Sequence, residues 1–292
     1  MSHLTSNNVR AALPATYEIA DKRSNAAQWR HFALVIMEYF VLIGTAMVAM
    51  ISSVRGEFVP EPLFLFSFGA LVIIATASHF SGQDKAWMRA RAIAEKTKTL
   101  SWRYIMVARP FARENAETLF KSRIDEAVSQ DTLVETRTAQ DDQRAATPSM
   151  QEMRSLALIE RFNLYRSARI QDQYDWYKQK AETNNARALR WYVATFCVYI
   201  VPAVLIGTGQ LNGAEHWSII SIFLLVGSSL LGWSKAKRFR ELYRSYTAAH
   251  TEIRKVLDEE QSATTEQDLA DLVHATESAF AQEHAAWVLS KE

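Results

Sequence analysis

The sequence predicts an all-α integral membrane protein, with four transmembrane helices in two hairpins and long cytoplasmic helices. Three observations carry this reading. Residues 33–54 form an apolar run of 22 residues with one charged side chain, Glu38, and the runs 63–80, 192–211 and 217–234 contain no Asp, Glu, Lys or Arg. A helix of about 20 residues spans the roughly 30 Å hydrocarbon core, because each residue rises about 1.5 Å. The runs also come in pairs joined by short loops, an arrangement poorly suited to buried core helices. Lastly, all four outer flanks are basic: Lys22, Arg23 and Arg30; Lys85, Arg89 and Arg91; Lys178, Lys180, Arg187 and Arg190; Lys235, Lys237, Arg238 and Arg240. Cytoplasmic loops carry the Lys and Arg excess, so both termini and the middle segment are expected on the cytoplasmic side of the membrane.

In chain order, Pro14 suits the first turn of a helix leading through Tyr17, Ala20 and the interfacial Trp29 to the first span. Gly56 provides the turn of the first loop, and Pro62 the first turn of the second span. Gly82 and Asp84 open a helix with Trp87, Ala90, Ala94, Leu100, Tyr104 and Val107 at helical spacing, which Pro110 is expected to break or kink. Another helix covers about 112–128. Residues 131–148 lack a sustained pattern and read as a linker between a first unit, 1–130, and a second, 149–292.

Ser149 with Glu152 has the form of a capping box, from which a helical pattern runs unbroken into the third span. Lys235–Leu257 continues the fourth span as a basic, aromatic-studded helix. Thr264 with Gln267 is a second capping box, ahead of a terminal helix with Leu269, Leu272, Val273, Phe280 and Trp287 on its apolar side. No apolar stretch in the first 30 residues has the form of a signal peptide.

The two halves repeat. Ser67, Ala70, Ile74, Ala77 and Ser81 correspond, at an offset of 151, to Ser218, Ser221, Leu225, Ser228 and Gly232. The steps of three and four put each set on one helix face. Such a stripe of small residues either lets helices pack closely or lines a pore. Glu38 divides the same way. A carboxylate inside a span is either stapled to a cation such as Arg30 or Lys235, or faces water in a passage.

Little points to an enzyme. With 7 histidines, 9 glycines and the single Cys197, the chain offers no metal cluster, phosphate-cradling loop or nucleophile elbow. No cofactor is expected. A net charge of +1, with the basic residues already explained by lipid headgroups, gives no reason to expect nucleic acid.

The block AEKTKTLSWRYIMVARPF, residues 94–111, resembles a block of the SLATT family, through Leu100, Trp102, Arg103, Tyr104, Pro110 and Phe111. Tyr174, Trp176, Tyr177, Lys180 and Ala181 resemble the helix leading into the spans of another SLATT subgroup, and Glu277, Glu283 and Trp287 resemble that subgroup's end. One SLATT-like unit per half then covers nearly the whole chain. The resemblance implies a bacterial two-transmembrane effector associated with nucleotide-generating and nucleotide-sensing conflict domains. It also implies oligomerisation or opening in the membrane as a defence against phage. No sensor or cyclase is fused to these units, so the signal is expected from a separate sensor or from a nucleotide second messenger acting on the helices. The site residues are accordingly Glu38, Ser67, Ser218, Ser221 and Ser228 as polar pore positions. Trp102, Arg103, Tyr104, Pro110, Phe111, Trp176, Tyr177 and Trp287 are the structural or coupling positions. A homo-oligomeric channel and a membrane-anchored scaffold are the two functions left standing.

Overall fold

The computed structural model describes residues 6–56, 61–139, 143–211, 216–258 and 263–289, with the side chains of 6, 7, 53, 54 and 282–289 left out. Helices α1 (Ser6–Ala11), α2 (Ala15–Arg55), α3 (Glu61–Phe80), α4 (Gln83–Ile105), α5 (Ala116–Val128) and α6 (Thr132–Arg137) make up the first part of the chain. Then follow α7 (Pro148–Arg154), α8 (Leu158–Tyr165), a π-helical segment (Arg166–Gln171), α9 (Asp172–Gly207), α10 (Trp217–Lys237), α11 (Phe239–Asp258) and α12 (Glu266–Leu289). No strand occurs among the described residues.

Two compact units arise, and each draws on both halves of the sequence. The span unit comprises Trp29–Gln83 and Ala181–Arg244; the head unit comprises Met1–Gln28, Asp84–Lys180 and Ser245–Glu292.

Four helices are long and apolar enough to cross a membrane. Their side chains separate this reading from that of a buried core: Phe66 is 76% exposed, Phe80 78% and Leu65 75%. Apolar side chains at such exposure belong in lipid. Glycine permits the tight contacts. A Cβ on Gly227 would run into the ring of Tyr199, and one on Gly232 would lie 2.5 Å from the Tyr39 hydroxyl. At one end of the spans, Trp233 packs edge-on against Phe32 at 5.8 Å and meets Trp191 at 6.3 Å. The Lys237 ammonium lies 3.1 Å from the Phe32 ring centroid, an amphipathic aromatic and basic cluster suited to a membrane interface.

The head unit has the hydrophobic core. Phe111, Phe120, Ile124, Met150, Tyr165, Leu269 and Val273 from four helices and a turn are fully buried in it. Helix α4 ends at Ile105, five residues before Pro110, so the proline is not what breaks it. Val107 adopts the left-handed conformation (φ 57°) and the Ala108 N–H donates back to the Arg103 carbonyl at 2.9 Å. That is a helix-terminating turn, formed here by a β-branched residue in a conformation that ordinarily favours glycine.

Several expected boundaries move. The helix does not run unbroken from Ser149: Ser155–Ala157 interrupts it, and the rod into the third span begins at Leu158. The cap of α7 is Thr147, not Ser149; its hydroxyl accepts from the Met150 N–H at 3.2 Å and donates to the Ala12 carbonyl at 2.6 Å. Pro148 takes the first helical position, where its missing N–H is harmless. Helix α5 starts at Ala116, four residues later than expected. The α12 cap is Thr265 with Asp268, one residue beyond the expected pair. Arg238, left-handed at φ 53°, separates α10 from α11. Within 131–148, Asp131 caps α6 by accepting from the N–H groups of Leu133 and Val134.

Candidate functional site

In the span unit the small-polar stripe divides. Ser67 donates to the Leu63 carbonyl at 2.9 Å, and Ser221 to that of Trp217 at 2.8 Å, the bond back along the helix that a hydroxyl makes when no other partner is near. Ser228 is exposed and lies 3.5 Å from the Tyr199 hydroxyl, while Ser218 is half-buried. Gly232, at the end of the stripe, packs under Tyr39. Glu38 is half-buried and makes no ion pair with Arg30 or Lys235 among the described residues.

In the head unit the block 100–111 is a seam. Trp102, 3% exposed, meets Tyr165 edge-to-face at 5.6 Å. Tyr104 packs against Phe120 at 5.2 Å and Phe111 at 6.0 Å, beneath the Arg154 guanidinium 4.6 Å above its ring. Arg154 donates to the carbonyls of Tyr104 and Phe111, and Arg161 to that of Met106 at 3.2 Å, so two arginines tie the end of α4 and the turn after it to α7 and α8. Arg161 is itself buried and ion-paired with Glu266. Pro110 follows a cis peptide bond directly before the fully buried Phe111. Arg103 donates to Ser278 at 3.1 Å, joining α4 to α12. Trp176 lies 4.9 Å from Tyr177 and 5.5 Å from Tyr246. The side chain of Trp287 lies outside the described residues.

A buried ion pair anchors the terminal helix. Arg169, carried by the π segment, grips Glu277 with Nε on Oε1 and Nη2 on Oε2, both at 2.7 Å. The Tyr165 hydroxyl adds a bond at 3.1 Å and Thr99 another at 2.8 Å. Glu277 is fully buried, so four donors replace its water. Burial opposes charge on Arg169, but the Glu277 carboxylate outweighs that and holds its pKa above the ordinary value. Burial, with Glu277 beside it, pushes the Tyr165 phenol well up. In the π segment Ala168, Arg169 and Ile170 are all buried, three consecutive residues turned inward.

Beside this pair the head unit has a partly open cavity of about 440 Å³ whose wall includes Lys98, Trp102, Arg169, Trp176, Tyr246 and Phe280. Its rim cations are engaged: Arg91 bridges Asp21 at 3.1 Å and Glu95 at 2.7 Å. Two donors inside are not. Nη1 of Arg169, the nitrogen left over from the Glu277 pair, is buried without an acceptor among the described residues. Lys98 makes no ion pair or hydrogen bond there, and burial pulls its amine down to about 8, with Glu95 opposing and Arg169 adding to the fall. Its partial accessibility is that of a residue on the cavity wall.

Sequence reading missed Lys98 and Arg169. The signal for Arg169 was a charge four residues after Tyr165, on the side of the rod that also carries Tyr177. Lys98 is one of several bases in a helix rich in them, with no local feature that sets it apart.

Four apolar helices and a separate aromatic, charge-stitched helical head define a multi-pass membrane protein. Residues 14–162 match the family model described as SMODS and SLOG-associating 2TM effector domain 3, and residues 165–287 match that of effector domain 1. The chain belongs to the SLATT family, as two tandem domains that span nearly its whole length. This is a family of membrane effectors rather than enzymes, and no group of His, Cys, Asp or Glu able to hold a metal ion occurs among the described residues. No curated protein and no solved structure matches the chain.

Proposed function

We propose that this protein is a homo-oligomeric channel or pore-forming effector of the bacterial inner membrane, acting in defence against phage. Its head unit and both termini lie in the cytoplasm, where a separate sensor or a nucleotide messenger triggers opening. One observation carries the reading: Glu38, inside an apolar span, has no cation partner among the described residues of its own chain. A carboxylate so placed is costly in lipid unless it meets water or another copy, and a water-filled passage between copies supplies both. The exposed Ser221 and Ser228 are the matching wall on α10, and the family's effector character supports the same reading. The scaffold alternative draws support from Gly227 and Gly232, whose contacts are those of helices packed for closeness alone.

Accessibility to a charged, impermeant thiol reagent separates the two. With Cys197 replaced, Ser221→Cys should be modified from outside intact cells about tenfold faster than Leu224→Cys, because only a wet wall admits the reagent. Equal rates would favour the scaffold.

A further inference from the structure

We propose that the head-unit cavity is a binding site for a small soluble organic anion. One phosphate or carboxylate group lies between Lys98 and Arg169, and a planar ring lies against Trp102, Trp176 and Phe280. The proposal stands apart from the pore reading, since a ligand can bind a protein that conducts nothing.

Charge and hydrogen bonding carry it. Two cationic side chains, Lys98 and Arg169, line one cavity with unengaged donors, and they repel each other. The groups acting on Lys98 are Glu95 and Arg91 on its own helix, Arg169 on the π segment and Glu277 on α12, and Asp21 and Asp172 also line the cavity. Glu95 is committed to Arg91, Glu277 to Arg169, and Asp21 to Arg10 and Arg91, while Asp172 accepts from Gln173. A half-buried ammonium without a counter-ion and a buried guanidinium N–H without an acceptor are each unfavourable, and one anion satisfies both. The left-over Arg169 nitrogen and the Lys98 ammonium together suit a single phosphate or carboxylate rather than a polyphosphate chain. The ring follows from the rest of the wall. The Arg169 guanidinium already lies 4.6 Å over the Phe280 ring, and Trp102 and Trp176 offer further aromatic surface. A volume of about 440 Å³ accommodates a mononucleotide-sized molecule.

Lys98 also has a cost that a purely structural residue would not need. Its folded-state amine titrates near 8 rather than 10.5, so the unfolded chain takes up a proton between those values and the folded chain does not. Stability therefore rises as pH climbs through that window and is lower below it. A neutral side chain at this position should relieve the penalty.

The test uses the full chain in nanodiscs of zwitterionic lipid, titrated with adenosine 5′-monophosphate and with 1-naphthyl phosphate. Adenosine, 1-naphthol and inorganic phosphate are the controls lacking one half of the chemistry. At least one aryl phosphate should bind with a Kd below about 1 mM, and at least about tenfold tighter than its neutral analogue or inorganic phosphate. Lys98→Gln should weaken that binding about ten- to a hundredfold while unfolding at no lower temperature than wild type. Phe280→Leu should weaken the aryl phosphates and leave inorganic phosphate unchanged. Wild-type affinity should fall about tenfold between pH 7 and 9 as Lys98 loses its proton, and Lys98→Gln should be flat. Should Lys98→Gln unfold, Lys98→Met and the pH profile carry the same test. Inorganic phosphate binding as tightly as the aryl phosphates would overturn the aromatic part and leave a bare phosphate site, open equally to lipid headgroups. Absence of aryl phosphate binding, or binding indifferent to Lys98, overturns the proposal.

Discussion

Glu277→Gln is expected to destabilise the protein by about 3–5 kcal/mol, the usual consequence of leaving one member of a buried ion pair alone. The carboxylate is fully buried and takes two bonds from Arg169 and one each from Tyr165 and Thr99. The amide keeps the shape but replaces one acceptor oxygen by a donor, so it can no longer receive both guanidinium bonds. Arg169 is then a cation at 2% exposure without a counter-charge. Thermal and denaturant unfolding in detergent would measure the loss. Pairing the change with Arg169→Met should recover much of it, because two apolar side chains leave no orphaned charge. A single-variant loss below about 1 kcal/mol would mean that water reaches the pair and that α12 is held by its apolar side alone.

Trp102→Ala is expected to remove about 3–5 kcal/mol, the range for emptying a buried indole. The ring is 3% exposed, packs on Tyr165, and forms part of the cavity wall. Truncation enlarges a space that already exists, so the neighbouring helices have little chance to collapse into it. Trp102→Phe, which keeps an aromatic edge for Tyr165, should lose clearly less. An unchanged unfolding transition in Trp102→Ala would place the indole outside the cooperative core.

How much of this was legible in the sequence depends on the range of each interaction. The spans were, because length and the absence of charge are local properties that a bilayer reads residue by residue. The turn at Gly56 and the start of the second span at Pro62 were legible for the same reason. Caps were misplaced by a residue or two. At Thr147 and Ser149, and at Thr264 and Thr265, neighbouring hydroxyls compete, and the chain's path past Ala12 decides the first contest. The break at Ser155–Ala157 has no Gly or Pro to announce it. The π segment adds a fraction of a turn that averaged periodicity does not register. The Arg169–Glu277 pair joins residues 108 apart, so neither one signals the other locally. Without that pair in view, Arg169 and Lys98 read as surface charge, and the cavity between them could not be seen. The polar span positions were legible as residue types, but Ser67 and Ser221 turn their hydroxyls to their own helices.

Planar-bilayer recording of the purified, size-verified oligomer, wild type beside Glu38→Gln, tests the pore most directly. The protein should be opened by whichever signal also arrests infected cells expressing it. A carboxylate on the wall of an open pathway attracts cations, so wild type should carry a cation-preferring current and Glu38→Gln should lose that preference at unchanged oligomer size. A silent wild-type oligomer under conditions that still halt infected cells would contradict the account.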